Sequence, residues 1–91
     1  MPQRLQRSRR KGARLPADAL VVSRPTRWGN PHPLELGREE AVRRYRRDLL
    51  AGRLAVTVED VRHELRGRDL ACWCPLDEPC HADVLIDVAN R

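Results

Sequence analysis

The stretch "DLACWCPLDEPCHADVLIDVAN", residues 69–90, is the most informative part of the sequence for the fold, because it combines a buried strand, a loop bounded by prolines and an amphipathic helix. "DLACWC" is short and apolar, which is typical of a core strand. "PLDEP" interrupts it. "HADVLIDVAN" then follows a helical repeat that turns Val84, Leu85 and Val88 inward and places Asp83 in the first turn. The stretch predicts strand, loop and helix in succession.

Two helices are predicted upstream of it. In "REEAVRRYRRDLLAG", residues 38–52, apolar side chains recur at helical spacing, with Gly52 suited to the C-terminal end. In "TVEDVRHELRG", residues 57–67, Thr57 is a good N-cap, with Asp60 three residues later. The predicted buried stripes are Ala41, Val42, Tyr45, Leu49 and Leu50 in the first helix and Val58, Val61 and Leu65 in the second.

The remaining pattern predicts an α/β fold. "ALVVS", residues 19–23, is typical of a core strand. Residues 3–9 show a weak alternation of apolar and polar side chains, which predicts an edge strand. The order is therefore strand, strand, helix, helix, strand, helix, in a small two- to three-stranded sheet. Because mostly helical chain separates the two core strands, we expect them to be parallel. Residues 1–91 form one domain in this interpretation, with residues 1–14 as a basic edge strand or flexible arm.

Composition narrows the location of the protein. The chain has 91 residues, a formal net charge of +5 and three cysteines, with no apolar run long enough to span a bilayer. Its basic N-terminus lacks the apolar segment of a secretory signal, so we expect a cytoplasmic protein with no membrane partner. In that reducing compartment, clustered cysteines bind metal or carry out chemistry more often than they form disulfides.

The spacing C-x-C-x5-C-H offers four ligands for a metal. On a strand, Cys72 and Cys74 share a face, and Cys80 and His81 follow five residues later. Four sulfur and imidazole ligands suit a closed, structural zinc site. Two alternatives stay open: Cys80 is a catalytic thiolate assisted by His81 or Glu78, or the cysteines are small core residues.

The loop "RPTRWGNP", residues 24–31, offers a second set of functional side chains. Parallel-sheet proteins bind ligands beyond the carboxyl ends of their strands, where this loop and "CPLDEPCH", residues 74–81, both lie. Guanidinium groups recognise phosphate or carboxylate, and indole rings stack on bases. The loops therefore predict a site for a small anionic, nucleotide-like ligand; the alternative is a rigid structural turn. The candidate ligand-binding residues are Arg24, Arg27, Trp28, Gly29, Asn30 and Trp73.

The basic N-terminal segment supports a further alternative, a nucleic-acid-binding accessory protein. Its cations are Arg4, Arg7, Arg9, Arg10, Lys11 and Arg14. The segment has no interleaved aromatic residues and no recognised reader motif.

In combination, these motifs resemble those of a family of small uncharacterised proteins, a domain of unknown function found in actinobacteria and their phages. The similarity runs from about Gln6 to Asn90. It implies that the important residues are Arg24, Pro25, Trp28, Gly29, Asn30 and Pro31 in the first loop, and Cys72, Trp73, Cys74, Cys80 and His81 in the second. This chain departs from the family pattern at His32, where an aromatic residue usually follows "GNP". No activity follows from the resemblance.

Overall fold

The computed structural model describes residues 2–7, 15–16 and 18–91, and it confirms the predicted α/β fold and the order of its elements. The strands are β1 (Arg4–Gln6), β2 (Leu20–Val21) and β3 (Leu70–Cys72). The helices are α1 (Arg38–Leu50), α2 (Val58–Leu65) and α3 (His81–Ala89), with a 3-10 turn at Leu34–Leu36 before α1. The first and second strands are shorter than the sequence predicts.

The sheet has the order β1-β3-β2, and both outer strands are parallel to β3. Leu70 lies opposite Arg4 on one side and Leu20 on the other. The backbone N–H of Arg7 extends the first ladder by donating to the carbonyl oxygen of Cys72 at 2.8 Å. All three residues of β3 are buried, which explains its continuous apolar run.

Side-chain and backbone features mark the start of α2 and the ends of α1 and α2. Thr57 caps α2 through a reciprocal capping box: its hydroxyl accepts from the Asp60 N–H at 3.0 Å, and the Asp60 carboxylate accepts from the Thr57 N–H at 3.0 Å. Gly52 and Gly67 follow α1 and α2 with φ of 74° and 76°, a backbone conformation that favours glycine. These boundaries confirm the predicted ends.

The core lies where α3 packs against α1, α2 and the sheet. Its largest fully buried apolar side chains are Tyr45, Leu49, Leu65, Leu70 and Leu85. One predicted core residue is wrong: Leu50 is 52% exposed. Position 50 lies about 100° around the helix from Leu49, and the buried stripe is completed instead by a charged residue, Asp48. Val42 and Val58 are half-buried at the edge of the core.

Two further predictions concern the membrane and the basic N-terminal segment. Within the described ranges, no helix is both long and apolar enough to cross a membrane. Residues 8–14 lie outside the described residues, so the idea that this part of the basic segment is a strand or flexible arm stays a prediction.

Candidate metal centre and adjoining cavity

The sheet and α3 bring the three cysteines together. Cys72 ends β3, Cys74 begins the following loop, and Cys80 is the N-cap of α3. Their sulfur atoms all lie within 4.8 Å of one another, and the Cys72 and Cys74 Sγ atoms are 3.7 Å apart. None of the three forms a disulfide. The strand predicted at residues 69–74 ends at Cys72, so Cys74 lies beyond it, but the two sulfurs are close together all the same, and the cluster can hold a metal ion.

The pKa values of the three thiols are shifted in different directions. The hydrogen bond with Cys72 lowers the pKa of Cys80 well below that of an ordinary thiol; burial opposes this, while His81 and the backbone N–H of Ala82 reinforce it. The same bond with Cys80 and burial together raise the pKa of Cys72. Burial, followed by Cys80, raises the pKa of Cys74. The first thiolate therefore forms at Cys80, where the N-terminus of α3 favours negative charge.

His81 lies beside the cluster but is held by another contact. Its Nε2 atom is 2.7 Å from the carbonyl oxygen of Val22, and its ring meets Tyr45 edge-on at 5.2 Å between centroids. Its Nδ1 atom is 3.7 Å from the Cys80 sulfur. The group of atoms that all lie within 4.8 Å of one another contains the three sulfurs and does not include His81. Ligation by His81 therefore stays a prediction.

Arg4 fixes the loop that joins two of the cysteines. Its side chain is 8% exposed, and its Nη2 atom donates to the carbonyl oxygens of Pro75 at 3.2 Å and Leu76 at 2.7 Å. Its Nε atom lies 3.4 Å from the carboxylate of Asp83 in the first turn of α3. The buried Nη1 atom has no hydrogen-bond partner among the described residues. A buried cation on β1 thus holds both arms of the cysteine loop.

A cavity of about 550 Å³ opens beside the cysteines. The two loops predicted to form the site, residues 24–31 and 74–81, both contribute to its wall, together with the 3-10 turn and α1. Of the predicted ligand-binding residues, Arg24, Asn30 and Trp73 line it, as do Cys72, Cys74, Cys80 and His81. The two unusual loops therefore meet at one site.

The other three predicted ligand-binding residues do not line this cavity. Arg27 pairs with Glu64 on α2 and stacks on Trp28, with its guanidinium carbon 4.5 Å from the ring centroid. Trp28 is buried in the core. Gly29 faces Arg24: a Cβ added there would lie 2.9 Å from the Arg24 Cγ atom. These three residues shape the loop, as the structural alternative for "RPTRWGNP" expects.

The side chains of Arg24 and Asn30 also form hydrogen bonds within the loop and to α1. Arg24 donates from Nε to the Asn30 carbonyl oxygen at 2.6 Å and from Nη2 to that of His32 at 2.9 Å. The Asn30 side chain donates to the Ala41 carbonyl oxygen at 3.0 Å and accepts from the His32 N–H at 2.9 Å. The amide of Asn30 therefore ties the loop to α1.

Sequence reasoning missed two polar residues of the cavity wall, Arg38 and His32. Arg38 opens α1, and its Nε atom is 3.0 Å from the Glu78 carboxylate on the cysteine loop. A cation in the first turn of a helix interacts unfavourably with the helix dipole. The position of Arg38 is therefore a sequence signal that its side chain has another role. His32 places Nε2 2.7 Å from the Asp48 Oδ2 atom.

Two cations expected to serve nucleic-acid binding are engaged within the fold. Arg4 is buried, as described above. Arg7 donates to the Ser23 hydroxyl at 3.0 Å and places its guanidinium carbon 4.3 Å from the centroid of the exposed Trp73 ring. Arg9, Arg10, Lys11 and Arg14 lie outside the described residues. Nucleic-acid binding stays a prediction.

Comparison with known proteins agrees with the motifs. Neither the curated proteins nor the solved structures contain a match to this chain. A sequence model of one family matches residues 5–91, which include every cysteine and both loops around the cavity. The chain therefore belongs to the family described as Domain of unknown function (DUF4326).

Proposed function

We propose that the protein holds a zinc ion through Cys72, Cys74 and Cys80 and binds a small anionic, nucleotide-like ligand in the adjoining cavity. One observation carries the proposal: three sulfurs within 4.8 Å of one another lie on the wall of a cavity of about 550 Å³. Metal site and ligand site are then two parts of one centre.

The donor set favours zinc. Sulfur ligands select soft or borderline metals, and a tetrahedral zinc centre with Zn–S bonds of about 2.3 Å has neighbouring sulfurs about 3.8 Å apart. The Cys72 and Cys74 sulfurs, at 3.7 Å, match that edge. Such an ion joins β3 to α3 and supplements the core of a small domain. Reduced thiols suit the cytoplasmic location that we propose for the protein.

The cavity wall favours an anionic ligand with a flat ring. Arg24 and Arg38 supply positive charge, and Trp73 supplies an aromatic surface. Arg38 replaces Arg27 as the second cation, because Arg27 is engaged with Glu64 away from this wall. A phosphate or carboxylate placed at Arg38 would compete with Glu78 for the guanidinium group.

The metal is tested on untagged protein by elemental mass spectrometry, with thiol titration before and after chelation. We expect about one zinc per chain and thiols that become reactive only when the metal is removed. Serine at any one of the three cysteine positions should lower the metal content. Protein without metal, in which all three thiols titrate freely, would contradict the zinc site.

The ligand is tested by calorimetry with nucleoside monophosphates, using the free nucleosides and inorganic phosphate as comparisons. We expect Arg38→Met to weaken binding by about tenfold or more, because a charge-assisted contact is lost. Arg43→Met is the matched control: it lies on the same helix, pairs with Glu40 and does not line this cavity. Equal effects of the two substitutions, or no binding by any nucleotide, would contradict the ligand proposal.

A second candidate function is a thiol-dependent enzyme that uses Cys80. It is favoured by the position of Cys80 at the N-terminus of α3, on the cavity wall, with the His81 Nδ1 atom 3.7 Å from its sulfur. The Cys80 sulfur would form a bond to an electrophilic carbon as the bond to the leaving group breaks, and His81 would transfer the thiol proton to that group. Iodoacetamide should then alkylate Cys80 far faster than the other two cysteines in metal-free protein. Equal slow rates at all three would contradict it.

A further inference from the structure

We infer that the fourth position of the metal is open to the cavity and accepts an aromatic nitrogen atom of the ligand. The inference rests on the proposed zinc site and differs from the closed site that the C-x-C-x5-C-H spacing suggests. An open position makes the metal part of the binding site itself, whereas a closed one makes it a structural element.

His81 is poorly placed to close the site. Among the described residues, only the three sulfurs form the group with mutual distances within 4.8 Å, although His81 Nδ1 lies 3.7 Å from the Cys80 sulfur. Neighbouring ligand atoms of a tetrahedral zinc ion are about 3.8 Å apart, so closure of the site by His81 would require its ring or the sulfurs to move closer together. The 2.7 Å contact of its Nε2 atom with the Val22 carbonyl oxygen restrains that movement of the ring. The ring is therefore a neighbour of the Cys80 sulfur.

The cavity adjoins all three cysteines. Cys72, Cys74 and Cys80 all contribute to its wall, so an ion bound by the three sulfurs is reached from the cavity. The volume of about 550 Å³ is in the range of small-molecule sites. A ligand that enters this space can contact the metal and the charged wall together.

The residues present and the charge of the site favour a neutral donor from the ligand. A Zn²⁺ ion with three thiolates has a net charge of −1; a fourth thiolate is a common zinc ligand, but the chain has only three cysteines. A neutral aromatic nitrogen is a good zinc ligand and adds no charge. The apolar wall formed by Ala41, Val42 and Pro79 suits a flat heterocycle. In a nucleotide, a base nitrogen would bind the metal while the phosphate pairs with Arg38.

The test uses Co²⁺ in place of zinc in the full chain, because the visible d–d bands of Co²⁺ report its ligands. Imidazole and inorganic phosphate are titrated separately. We expect imidazole to shift the bands in a saturable way and phosphate to leave them unchanged. If imidazole leaves the bands unchanged in Co²⁺-loaded protein, the inference is overturned while the metal site stands. If the protein takes up no Co²⁺, the metal site and this inference fail together.

A substitution provides an independent measurement. We expect His81→Gln to bind Co²⁺ with the band pattern of the unsubstituted protein, because the imidazole is not a ligand. His63→Gln is the control, since His63 is an exposed histidine on α2. Bands that change in His81→Gln and return on addition of imidazole would identify His81 as the fourth ligand and overturn the inference. The imidazole titration remains decisive even if His81→Gln does not fold.

Discussion

The Nη2 atom of Arg4 donates a 2.7 Å hydrogen bond to the carbonyl oxygen of Leu76, across 72 positions of the chain. This contact joins the first strand to the middle of the loop between Cys74 and Cys80. The guanidinium is nearly buried, and its Nε atom also approaches Asp83 on α3. The positions of the sulfurs therefore depend on a residue far from them in sequence.

Arg4→Met should loosen the cysteine loop. Replacement removes two charge-assisted contacts to backbone carbonyls, and we expect the free energy of unfolding to fall by about 1–3 kcal/mol. Metal affinity, measured by competition with a chelator, should fall by about 10- to 100-fold, as for other residues that orient metal ligands. Arg68→Met is the matched control, because Arg68 donates to the Asp18 carbonyl oxygen before β2. Equal losses of metal affinity in both variants would refute a specific role for Arg4.

Removal of the metal should lower the melting temperature. A ligand present at about 100 times its Kd stabilises the folded state by about 2.7 kcal/mol. In a domain of this size, about 1 kcal/mol corresponds to about 4–8 °C, so we expect chelation to lower Tm by about 10–20 °C. Calorimetry with and without chelator checks this. Cys74→Ser serves as the control, because its Tm should be insensitive to chelator. A zinc-containing protein with an unchanged Tm would show that the metal does not bind the folded state preferentially.

Acid should destabilise the fold through Asp48. The hydrogen bond with His32 lowers the pKa of Asp48; burial opposes this, and Arg47 adds to the lowering. Arg53, 4.0 Å away, also faces the carboxylate. Because the pKa is lower in the folded than in the unfolded state, the stabilisation is present above the ordinary aspartate pKa of about 3.9 and is lost as the pH falls through the lower folded value.

Urea unfolding of Asp48→Asn between neutral pH and pH of about 3 tests this dependence. We expect its stability to fall less steeply than that of the unsubstituted protein in the acid range. Glu40, Asp60 and Asp87 also have lowered pKa values, but they are present in both proteins and cancel in the comparison. Parallel curves for the two proteins would rule out Asp48 as a source of the acid sensitivity.

Tyr45→Phe should destabilise the loop at residues 24–31. The buried hydroxyl donates to the Trp28 carbonyl oxygen at 2.8 Å, and its loss leaves that acceptor without this partner. We expect a cost of about 1–2 kcal/mol in the free energy of unfolding, measured with urea. Leu50→Ala is the control on the same helix and should have little effect, because Leu50 is exposed. A larger loss from Leu50→Ala would reverse this assignment of the core.

The fold was largely predictable because its signals are local. The period of α3, the cap at Thr57 and the apolar run of β3 each depend on neighbouring residues. Asp48 was not predictable in the same way. A carboxylate in a buried stripe contradicts the helical pattern, and its partner His32 comes from a loop before the helix.

The candidate site was also predictable only in part, where its signals are local. The cysteine spacing predicted that the sulfurs would meet, although Cys74 follows β3 and does not lie on it. The position of Arg38 in the first turn of a helix marks it as unusual, but the sequence does not show that Arg27 pairs with Glu64 on α2 while Arg38 lines the cavity. Which arginine reaches the site depends on how the helices pack, and a one-dimensional pattern does not contain that information.

The parallel pairing of β1 with β3 also dictates an order of events during synthesis. The backbone N–H of Gln3 donates to the Asp69 carboxylate across 66 positions, so the first strand has no partner in the sheet until residues 69–72 have been made. At cellular rates of translation this wait lasts on the order of seconds. The α1 and α2 helices can form meanwhile, whereas the three sulfurs can meet only after Cys80 has been made. Capture of the proposed zinc ion is accordingly a late event in the synthesis of these residues.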